Sequence, residues 1–388
     1  MSIGFFPNDS TQNKNTMVLG IDASNIGYGG GMKHLQEFLS NISIYEYGYE
    51  KVIIWGDENL EKLPNLDWLE KRQPEMLVNG GFLKKSFWKM FCAKKEMQES
   101  CTIVFAPGGA FYSKRIPYIS MSRNMLIFEK KEAQRYGLIM QIKFLLLNYV
   151  QKKSFKEAKG VIFISEYAKE YITNIVDIKN YRLINHGSSN KFNSKPKKQF
   201  SIDKYSFQNP LKILYVSAIR PFKHQKILIK AIAALRTKYP IELTLIGELE
   251  DRDEFNKFQS VFNSIDNADL YIKLKDKVSY DEIVSFYNDS QIFAYSSTCE
   301  NMPNILIEAM AMGLPIACSN YGPMPEFLKD GGEYYDPLNV ASIVFAIEKL
   351  ILNPELRVEY SHKAHEYAQQ YSWKKCADET IKYINELI

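Results

Sequence analysis

The chain has 388 residues, of which 46% are hydrophobic, so it is long enough and apolar enough to fold as two domains. Its 49 Lys and Arg residues and 45 Asp and Glu residues leave a net charge of +4, which is too balanced for a protein dedicated to binding nucleic acid. The five cysteines are odd in number and show no Cys-x-x-Cys pair, which argues against a disulfide framework and against a structural zinc site.

The N-terminal residues 1–15, MSIGFFPNDSTQNKN, lack the basic stretch and the long apolar core of a secretory signal. We therefore expect the protein to stay in the cytoplasm. The most apolar stretch of the chain, residues 138–150, is interrupted by Gln141, Lys143 and Asn148 and is shorter than a membrane-spanning helix. No segment is expected to cross a membrane.

Apolar runs typical of strands alternate with helical patterns along the chain. In chain order the runs are MVLGIDAS, KVIIWG, TIVFAP, GVIFIS, LKILYVSA, IELTLIG, LYIKL, SQIFAYSS and LPIACS. Such alternation predicts an α/β protein whose parallel sheets are covered by helices. A polar, basic segment, residues 188–210, separates the first four runs from the others. We predict a domain boundary just before this segment, with domains at residues 1–187 and 188–370.

A glycine-rich turn follows the first predicted strand and precedes a helix. Its glycines are Gly27, Gly29, Gly30 and Gly31. Glycines in such a turn let backbone amides come close to a phosphate. Met32 replaces the third glycine of a Gly-x-Gly-x-x-Gly motif, so the turn matches a dinucleotide-binding site poorly. A phosphate contact through Gly30 and Gly31 and a flexible turn without a ligand both stay open.

Residues 82–95, FLKKSFWKMFCAKK, interleave aromatic residues with lysines. The aromatic residues are Phe82, Phe87, Trp88 and Phe91, and the lysines are Lys84, Lys85, Lys89, Lys94 and Lys95. On a helix the apolar side chains would share a face flanked by lysines, which is typical of a helix that lies in a membrane surface. A core helix whose lysines reach solvent would show the same pattern, so both interpretations stay open.

Two cations follow the predicted strand LKILYVSA. The next residues, IRPFKHQ, place Arg220 and Lys223 at the carboxyl end of that strand. Ligands of open parallel sheets bind at this edge. The two cations suit a diphosphate leaving group, because they can stabilise the negative charge that grows on it. The alternative is a pair of solvated loop cations.

The most informative segment is residues 296–325, SSTCENMPNILIEAMAMGLPIACSNYGPMP. Pro303 suits the first turn of a helix, where its missing N–H has no partner to lose. Gly313 and Pro315 are typical of the end of a helix, here before the buried strand IACS. A short and mostly apolar helix is therefore predicted between Pro303 and Gly313.

One face of this helix is polar, since Asn301, Asn304 and Glu308 are three and four residues apart. The amides and the dipole at its N-terminus favour an anion such as a diphosphate. Glu300 precedes these amides, and Glu308 lies about 7.5 Å further along the helix axis. One carboxylate can therefore face a sugar and the other a ribose. The alternative for Glu308 is an ion pair within the core.

This segment, together with GGEYYDP at residues 331–337, resembles the Glu-x7-Glu signature of the retaining glycosyltransferases of family four, which have the GT-B fold. The resemblance is close over the second predicted domain and covers the first only in outline. It implies two Rossmann-like domains that face each other across a cleft, with a last helix, residues 371–388, that crosses back onto the first domain. It also implies metal-independent transfer of a sugar from a nucleotide diphosphate sugar to an acceptor hydroxyl, with retention of the anomeric configuration.

The resemblance also implies roles for residues of this chain. Glu300 would hold the donor sugar and stabilise its developing positive charge, while Arg220 and Lys223 would clamp the diphosphate. The implied donor contacts are Gly30, Gly31, Asn301, Asn304, Ile305, Glu308, Leu274 and Val278. Among these, Glu308 would bind the ribose, and the backbone around the last two would frame the base.

Members of the family often carry a histidine near the donor sugar, whereas this chain has Arg123 and Asn124 there. The two residues are candidate contacts to sugar or acceptor hydroxyls, and an ordinary surface arginine is an equally open interpretation of Arg123. The base, the sugar and the linkage depend on the loops that line the pocket and do not follow from the family. Family members commonly act on lipid-linked acceptors or surface glycans, which implies a peripheral place on the inner face of the membrane.

We expect no metal ion and no cofactor beyond the nucleotide sugar, which is a co-substrate. Asp251 and Asp253 stand in a charged stretch that indicates the start of a helix rather than a metal site. Two alternative functions in the same fold are epimerisation of a nucleotide sugar and phosphorolysis. A third alternative is a protein that binds nucleotide sugars without catalysis.

Overall fold

Two parallel β-sheets form the framework of the protein. The structure is a computed structural model that describes residues 17–27, 29–80, 84, 87–189, 191–248 and 251–388. Within these ranges the first sheet has seven strands in the order β3-β2-β1-β4-β5-β6-β7. They are β1 (Met17–Asp22), β2 (Tyr49–Trp55), β3 (Leu69–Arg72), β4 (Ile103–Ala106), β5 (Tyr118–Ser122), β6 (Gly160–Phe163) and β7 (Tyr181–Leu183).

The second sheet belongs to the second half of the chain. Among the described residues it has six strands in the order β10-β9-β8-β11-β12-β13. They are β8 (Leu211–Val216), β9 (Ile241–Ile246), β10 (Ile272–Lys275), β11 (Ile292–Tyr295), β12 (Ile316–Ser319) and β13 (Glu333–Tyr335). Neighbouring strands pair in parallel throughout both sheets.

Helices connect the strands. Those of the first half are α1 (Gly30–Asn41), α2 (Glu75–Val78), α3 (Ala93–Ser100), α4 (Lys130–Ala133), α5 (Leu138–Glu157) and α6 (Glu166–Thr173). Those of the second half are α7 (Gln225–Arg236), α8 (Arg252–Asn263), α9 (Ala268–Tyr271), α10 (Tyr280–Asp289), α11 (Asn304–Ala311), α12 (Met324–Leu328), α13 (Val340–Leu352), α14 (Pro354–Ala368) and α15 (Trp373–Glu386). Short 3₁₀ turns occupy Ile44–Tyr47, Glu58–Lys62, Ile202–Lys204 and Pro221–Lys223, and Trp88–Cys92 is a π-helical turn.

The central strands carry continuous apolar runs because both faces of each sheet are covered. Every residue of β4 (IVFA), β6 (GVIF) and β11 (IFAY) is buried. In the first sheet Leu19 of β1 lies between Val52 of β2 and Ile103 of β4, so the three side chains pack in one layer of the core. The α/β organisation predicted from the alternating runs is confirmed.

The strand order reverses once in each sheet, between β1 and β4 in the first and between β8 and β11 in the second. Ligands of such sheets bind outside the carboxyl ends of the strands at this reversal. In this protein both reversals open onto one cleft of about 1220 Å³. The lining includes Gly30 and Gly108 after β1 and β4. It also includes Arg220 and Glu300 after β8 and β11, so residues of both halves surround one space.

The last helix, α15, packs on the first half of the chain. Lys374 Nζ donates a hydrogen bond to the backbone oxygen of Asn41, at the end of α1, at 3.2 Å. Arg182 of β7 forms an ion pair with Glu386 near the end of α15 at 2.6 Å. The predicted return of the last helix is confirmed. The domain boundary predicted before residue 188 lies between β7 and β8 and stays a prediction.

No helix among the described residues is both long enough and apolar enough to cross a bilayer. The segment of residues 82–95 is described only in part, because residues 82, 83, 85 and 86 lie outside the described residues. Phe87 and Phe91 are exposed with ring centroids 4.9 Å apart, whereas Trp88 is buried. The interpretation of this segment as a membrane-surface helix stays a prediction.

Candidate active site

Lys223 and Glu300 meet at the strand reversal of the second sheet. Lys223 ends the 3₁₀ turn that follows β8, and Glu300 lies in the loop that follows β11. Their side chains form an ion pair, and Tyr295 Oη donates to the same carboxylate oxygen at 2.7 Å. Lys223 Nζ also donates to Tyr295 Oη at 3.2 Å. Two residues predicted from the sequence thus form one hydrogen-bonded cluster with a tyrosine that the sequence analysis did not identify.

The cluster is largely shielded from solvent. The exposed fraction is 11% for the Lys223 side chain and 16% for that of Glu300. Tyr295 is buried, and burial together with the Glu300 charge raises its pKa, so its hydroxyl stays protonated and donates. Glu300 lines the cleft, whereas Lys223, its ion-pair partner, does not belong to the lining within the described residues. An anion that enters the cleft would therefore compete with Glu300 for the Lys223 ammonium.

The loops that carry Lys223 and Glu300 are fixed to each other. His224 adopts the left-handed conformation, with φ of 53°, and its Nε2 forms a hydrogen bond with Thr298 Oγ1 at 2.8 Å. The amide of Thr298 donates to the backbone oxygen of Phe222 at 2.9 Å. Burial lowers the pKa of His224 to about 3, so its ring is neutral at physiological pH. The hydrogen bond from His224 therefore holds the turn in place without adding a positive charge.

Gly31 and Arg123 belong to the first-domain wall of the cleft. Gly31 leaves room for the arginine, since a Cβ atom at this position would lie 2.9 Å from Arg123 Nη1. Arg123 Nε is buried and has no hydrogen-bond partner among the described residues. Burial lowers the pKa of Arg123 to about 10, which still leaves the guanidinium charged at neutral pH. Its position suits a contact to a phosphate or sugar oxygen.

The N-termini of α1 and α11 lie next to each other. A Cβ atom on Gly30 would be 3.8 Å from Asn304 Nδ2. Asn304 Oδ1 is buried and has no hydrogen-bond partner within the described part of the chain. The positive φ of Gly29, 72°, turns the chain into α1. Two helix N-termini thus present amides and positive dipole ends to one region, which suits a diphosphate.

Asn301 joins the two halves of the protein. Its Nδ2 donates to the backbone oxygen of Ser122 at 3.1 Å, and its Oδ1 accepts from Ser165 Oγ at 3.1 Å. All three side chains are buried, so these bonds are shielded from water. Asn301 also lines the cleft, as does Asn124, whose Oδ1 accepts from the amide of Leu126 at 3.1 Å. The predicted ligand contacts of the two asparagines stay predictions.

Five predicted donor contacts do not belong to the cleft lining within the described residues, and Asn304 is one of them. Ile305 and Glu308 are half-buried on α11. Leu274 lies on the edge strand β10, and Val278 is half-buried in the loop that follows. Lys277, next to Val278, does line the cleft. The ribose contact of Glu308 and the framing of a base by Leu274 and Val278 stay predictions.

The first-domain half of the cleft includes residues that the sequence analysis missed. Pro107 and Gly108 follow β4, and the rule for carboxyl ends of parallel strands applies to them as it does to Arg220. Lys143 and Phe144 reach the cleft from α5. No sequence signal marks these two, because only tertiary packing decides which face of a helix meets the cleft.

Asp251 begins a helix, as its charged surroundings predict. Its carboxylate caps α8 by accepting from the amide of Glu254 at 2.9 Å. Among the described residues, no cluster of three or more His, Cys, Asp or Glu side chains could hold a metal ion.

The second half of the chain matches a known family. Residues 197–370 fit the family described as "Glycosyl transferases group 1". This part of the chain is similar to the group 1 glycosyl transferases. The matched region begins between the two sheets, ends just before α15, and contains the cluster of Lys223, Tyr295 and Glu300 as well as α11. The resemblance to a glycosyltransferase family inferred from residues 296–325 is confirmed, and retention of configuration stays a prediction.

Two curated proteins illustrate the range of relatives. An uncharacterized glycosyltransferase of Haemophilus influenzae is 29% identical over 171 residues, which are 43% of this chain and 47% of that protein. The O-antigen chain mannosyltransferase B of Escherichia coli is 24% identical over 246 residues, which are 61% of this chain and 63% of that protein. The chain thus spans about half the length of the first relative and less than two thirds of the second.

Solved structures resemble this chain over both halves. The Anabaena protein HepE, solved in complex with UDP-glucose, superposes with a TM-score of 0.69 at 17% identity. The superposition covers 96% of this chain and 100% of HepE. At this identity the likeness establishes the fold alone. The predicted GT-B fold, with two Rossmann-like domains facing across a cleft, is confirmed.

Proposed function

We propose that this protein is a retaining glycosyltransferase that moves a sugar from a nucleotide diphosphate sugar to an acceptor hydroxyl. One observation carries the proposal. The ion pair of Lys223 and Glu300 lies where the strand reversals of both sheets open onto the same cleft, within the group 1 domain. A cation and a carboxylate there match the two charges of the reaction, which are negative on the leaving group and positive on the sugar.

In this proposal the protein itself supplies the positive charge that stabilises the diphosphate leaving group. Lys223 exchanges Glu300 for the diphosphate, Arg220 approaches from the same loop, and the amides at the starts of α1 and α11 complete the site. These groups take the role that a metal ion has in other transferases. We therefore propose a reaction that needs no metal and no further cofactor.

Retention follows from chemistry on a single face of the sugar. The bond between the anomeric carbon and the diphosphate oxygen breaks, and its electron pair stays on the diphosphate. The acceptor oxygen forms the new bond on the same face, and its proton passes to an oxygen of the departing diphosphate. Glu300 lies beside the cleft and stabilises the positive charge on the sugar, and Arg123 offers its Nε to a sugar or phosphate oxygen.

We infer that the donor is a nucleotide sugar and that the acceptor is a lipid-linked or surface glycan. HepE, which has the same fold, was solved with UDP-glucose, and a relative is an O-antigen chain mannosyltransferase. The cleft, at about 1220 Å³, is large enough for a nucleotide sugar together with part of an acceptor. An acceptor of this kind would place the protein on the inner face of a membrane, with residues 82–95 as one candidate contact.

A transfer assay tests the proposal. The parent protein is incubated with UDP-, GDP- and dTDP-sugars, and release of the nucleoside diphosphate is measured, followed by NMR of the anomeric configuration of the product. We expect release from at least one donor and retention in the product. The Glu300→Gln variant should release far less, while Glu359→Gln, on the exposed side of α14, should match the parent.

The alternatives give different results in the same assay. A nucleotide sugar converted to its epimer without release of the diphosphate would indicate an epimerase. Turnover that requires inorganic phosphate would indicate a phosphorylase. Tight binding without any turnover would indicate a binding protein, and inversion in the product would contradict the retaining mechanism.

A further inference from the structure

Helix α5 exposes a long apolar face. Its exposed residues, with the exposed fraction of each, are Leu138 (78%), Ile139 (85%), Ile142 (59%), Leu145 (65%), Leu146 (63%), Tyr149 (68%) and Val150 (41%). They recur at spacings of three and four residues, so they share one side of the helix. We call this side the α5 face. None of the described residues covers it.

The opposite side of α5 already anchors the helix. Phe144 and Phe155 are buried, and Leu147 and Gln151 line the cleft beside Phe144. The α5 face is therefore not needed for the core. An exposed apolar area of this length on a folded domain is typical of a surface that binds something.

Helix α5, which carries the α5 face, is basic, although one of its lysines, Lys143, lines the cleft. The helix carries four lysines, Lys143, Lys152, Lys153 and Lys156, and a single carboxylate, Glu157. None of the four lysines forms an ion pair with a described residue. The face therefore combines apolar side chains with unneutralised positive charge.

The positive charge of α5 continues toward α3 through Tyr112, which two lysines contact. Lys153 Nζ lies 4.3 Å from the centre of the Tyr112 ring, and Lys94 Nζ lies 5.3 Å from the same ring. Lys94 belongs to α3, which directly follows the turn that exposes Phe91. The two ammonium groups repel each other, and an anion bound near both would reduce this repulsion.

We propose that the α5 face and the lysines around it dock on the surface of an anionic lipid bilayer. Apolar side chains would enter the boundary between headgroups and acyl chains, while the lysines would meet lipid phosphates. A second copy of the chain fits less well, because it would bring a second set of unpaired lysines to the same face. An acidic bilayer supplies both the apolar layer and the negative charge.

The proposal also explains how a lipid-linked acceptor reaches the cleft, and this part rests on the proposed function. The side of α5 opposite to the α5 face lines the cleft through Met140 and Leu147. One helix would thus separate the bilayer from the reaction space. A glycan attached to a lipid could enter the cleft while its acyl chains stay in the membrane.

Vesicle sedimentation tests the proposal on the full chain. Vesicles of phosphatidylcholine with about 30 mol% phosphatidylglycerol represent an anionic surface. The combined variant Ile142→Ser, Leu145→Ser, Leu146→Ser should bind these vesicles more weakly than the parent, by about tenfold or more. The control variant Leu270→Ser, Phe345→Ser removes equally exposed apolar residues from the second domain and should bind like the parent.

A variant without two of the lysines tests the electrostatic part of the docking proposal independently. Lys152→Gln with Lys156→Gln should weaken binding to the anionic vesicles about tenfold or more, and should leave the weak binding to pure phosphatidylcholine unchanged. None of the substituted residues lines the cleft in the described part of the chain, so nucleoside diphosphate binding should be that of the parent in every variant. This measurement also confirms that the variants are folded.

Three results would overturn the docking proposal. The first is equal sedimentation of the parent and the apolar variant. The second is equal loss of binding in the control variant. The third is a parent dimer that the apolar variant converts to a monomer without any change in vesicle binding, which would identify a second copy as the partner. A parent that binds vesicles but transfers no sugar would instead contradict the proposed function and leave the docking surface in place.

Discussion

The two glutamates of the Glu-x7-Glu segment have different surroundings. Glu300 lines the cleft and is bound by Lys223 and Tyr295. Glu308 lies on α11, the helix that follows this loop, and is half-buried. The spacing in the sequence was enough to predict that both matter. It could not reveal the Tyr295 hydroxyl or the ion pair, because these contacts form only when the loops after β8 and β11 meet.

Replacing Glu300 should affect turnover more than donor binding. Glu300→Gln keeps the shape and the hydrogen bond from Tyr295 but removes the charge that stabilises the sugar in the transition state, so we expect kcat to fall about a hundredfold or more. Affinity for the bare nucleoside diphosphate should stay equal or rise, because Lys223 loses its competing partner. Calorimetry beside the transfer assay measures both, and weaker binding of the diphosphate would contradict this role.

Replacing Glu308 should instead lower the affinity for the nucleoside diphosphate. Glu308→Ala would lose a charged hydrogen bond to the ribose, worth about 1.5–3 kcal/mol, or roughly a ten- to hundredfold loss of affinity for the nucleoside diphosphate. The contact precedes the reaction, so it survives in the absence of the sugar. If calorimetry gives the parent affinity, the ribose contact is wrong and an ion pair in the core is the better interpretation.

Glu129 makes the stability of the protein depend on pH. Tyr167 Oη donates to its Oε1 at 2.9 Å, and burial raises the pKa of Glu129 from 4.5 to about 7. Because the folded pKa is the higher one, the stabilisation that protonated Glu129 contributes is complete below pH 4.5 and is lost as the pH rises through about 7.

The Glu129→Gln variant removes this dependence, since glutamine stays neutral. Relative to the parent, its free energy of unfolding should rise between about pH 5 and about pH 8, by a difference on the order of 1–3 kcal/mol. Urea unfolding at both pH values measures the change. A constant difference between variant and parent across this range would show that Glu129 titrates normally.

At the scale of elements, helix ends hold the two domains together. Glu326 of α12 accepts hydrogen bonds from the amides of Glu166 and Tyr167, at 2.8 and 3.0 Å, at the first turn of α6. A carboxylate from the second domain thus binds the positive end of a first-domain helix. Asn301 makes the second link, to Ser122 and Ser165.

Loss of the Glu326 carboxylate should loosen this contact. In Glu326→Ala the first amides of α6 lose their acceptor, and we expect a loss of stability of about 0.5–2 kcal/mol, as for a helix cap. Hydrogen exchange at residues 166 and 167 should become faster. Glu359→Ala, an exposed carboxylate on α14 that pairs only locally with Lys363 in the described part of the chain, is the control. Unchanged exchange at both amides would mean that Glu326 does not tie the domains.

Elements were predictable where their signals are local. Pro303 and Gly313 bracket the predicted helix, and the structure has it at Asn304–Ala311 with Gly313 at a φ of 63°. The links through Asn301 and Glu326 were not predictable, because their partners lie more than a hundred residues away in the chain. The apolar residues of α5 were visible in the sequence, but which of them pack and which face outward depends on the neighbouring elements.

At the scale of the whole molecule, a stack of three buried rings joins the connections between the domains. The ring centroids of His34 in α1 and His186, which follows β7, are 4.8 Å apart. Those of His186 and Trp373, at the start of α15, are 5.2 Å apart. Burial lowers the pKa of His186 to about 3 and that of His34 well below its usual value, so both rings are neutral at physiological pH. These neutral rings bring α1, the segment after β7 and the start of α15 together at one point.

The central claim is that the shared cleft binds a nucleoside diphosphate through Lys223. Titration calorimetry of UDP, GDP and dTDP against the parent, Lys223→Met and Lys238→Met tests it most directly, because Lys238 is an exposed lysine of the same domain. We expect the parent to bind at least one of the three, Lys223→Met to bind it about ten- to hundredfold more weakly, and Lys238→Met to bind it like the parent. Equal affinity of Lys223→Met and the parent, or a parent that binds none of the three diphosphates, would contradict the account.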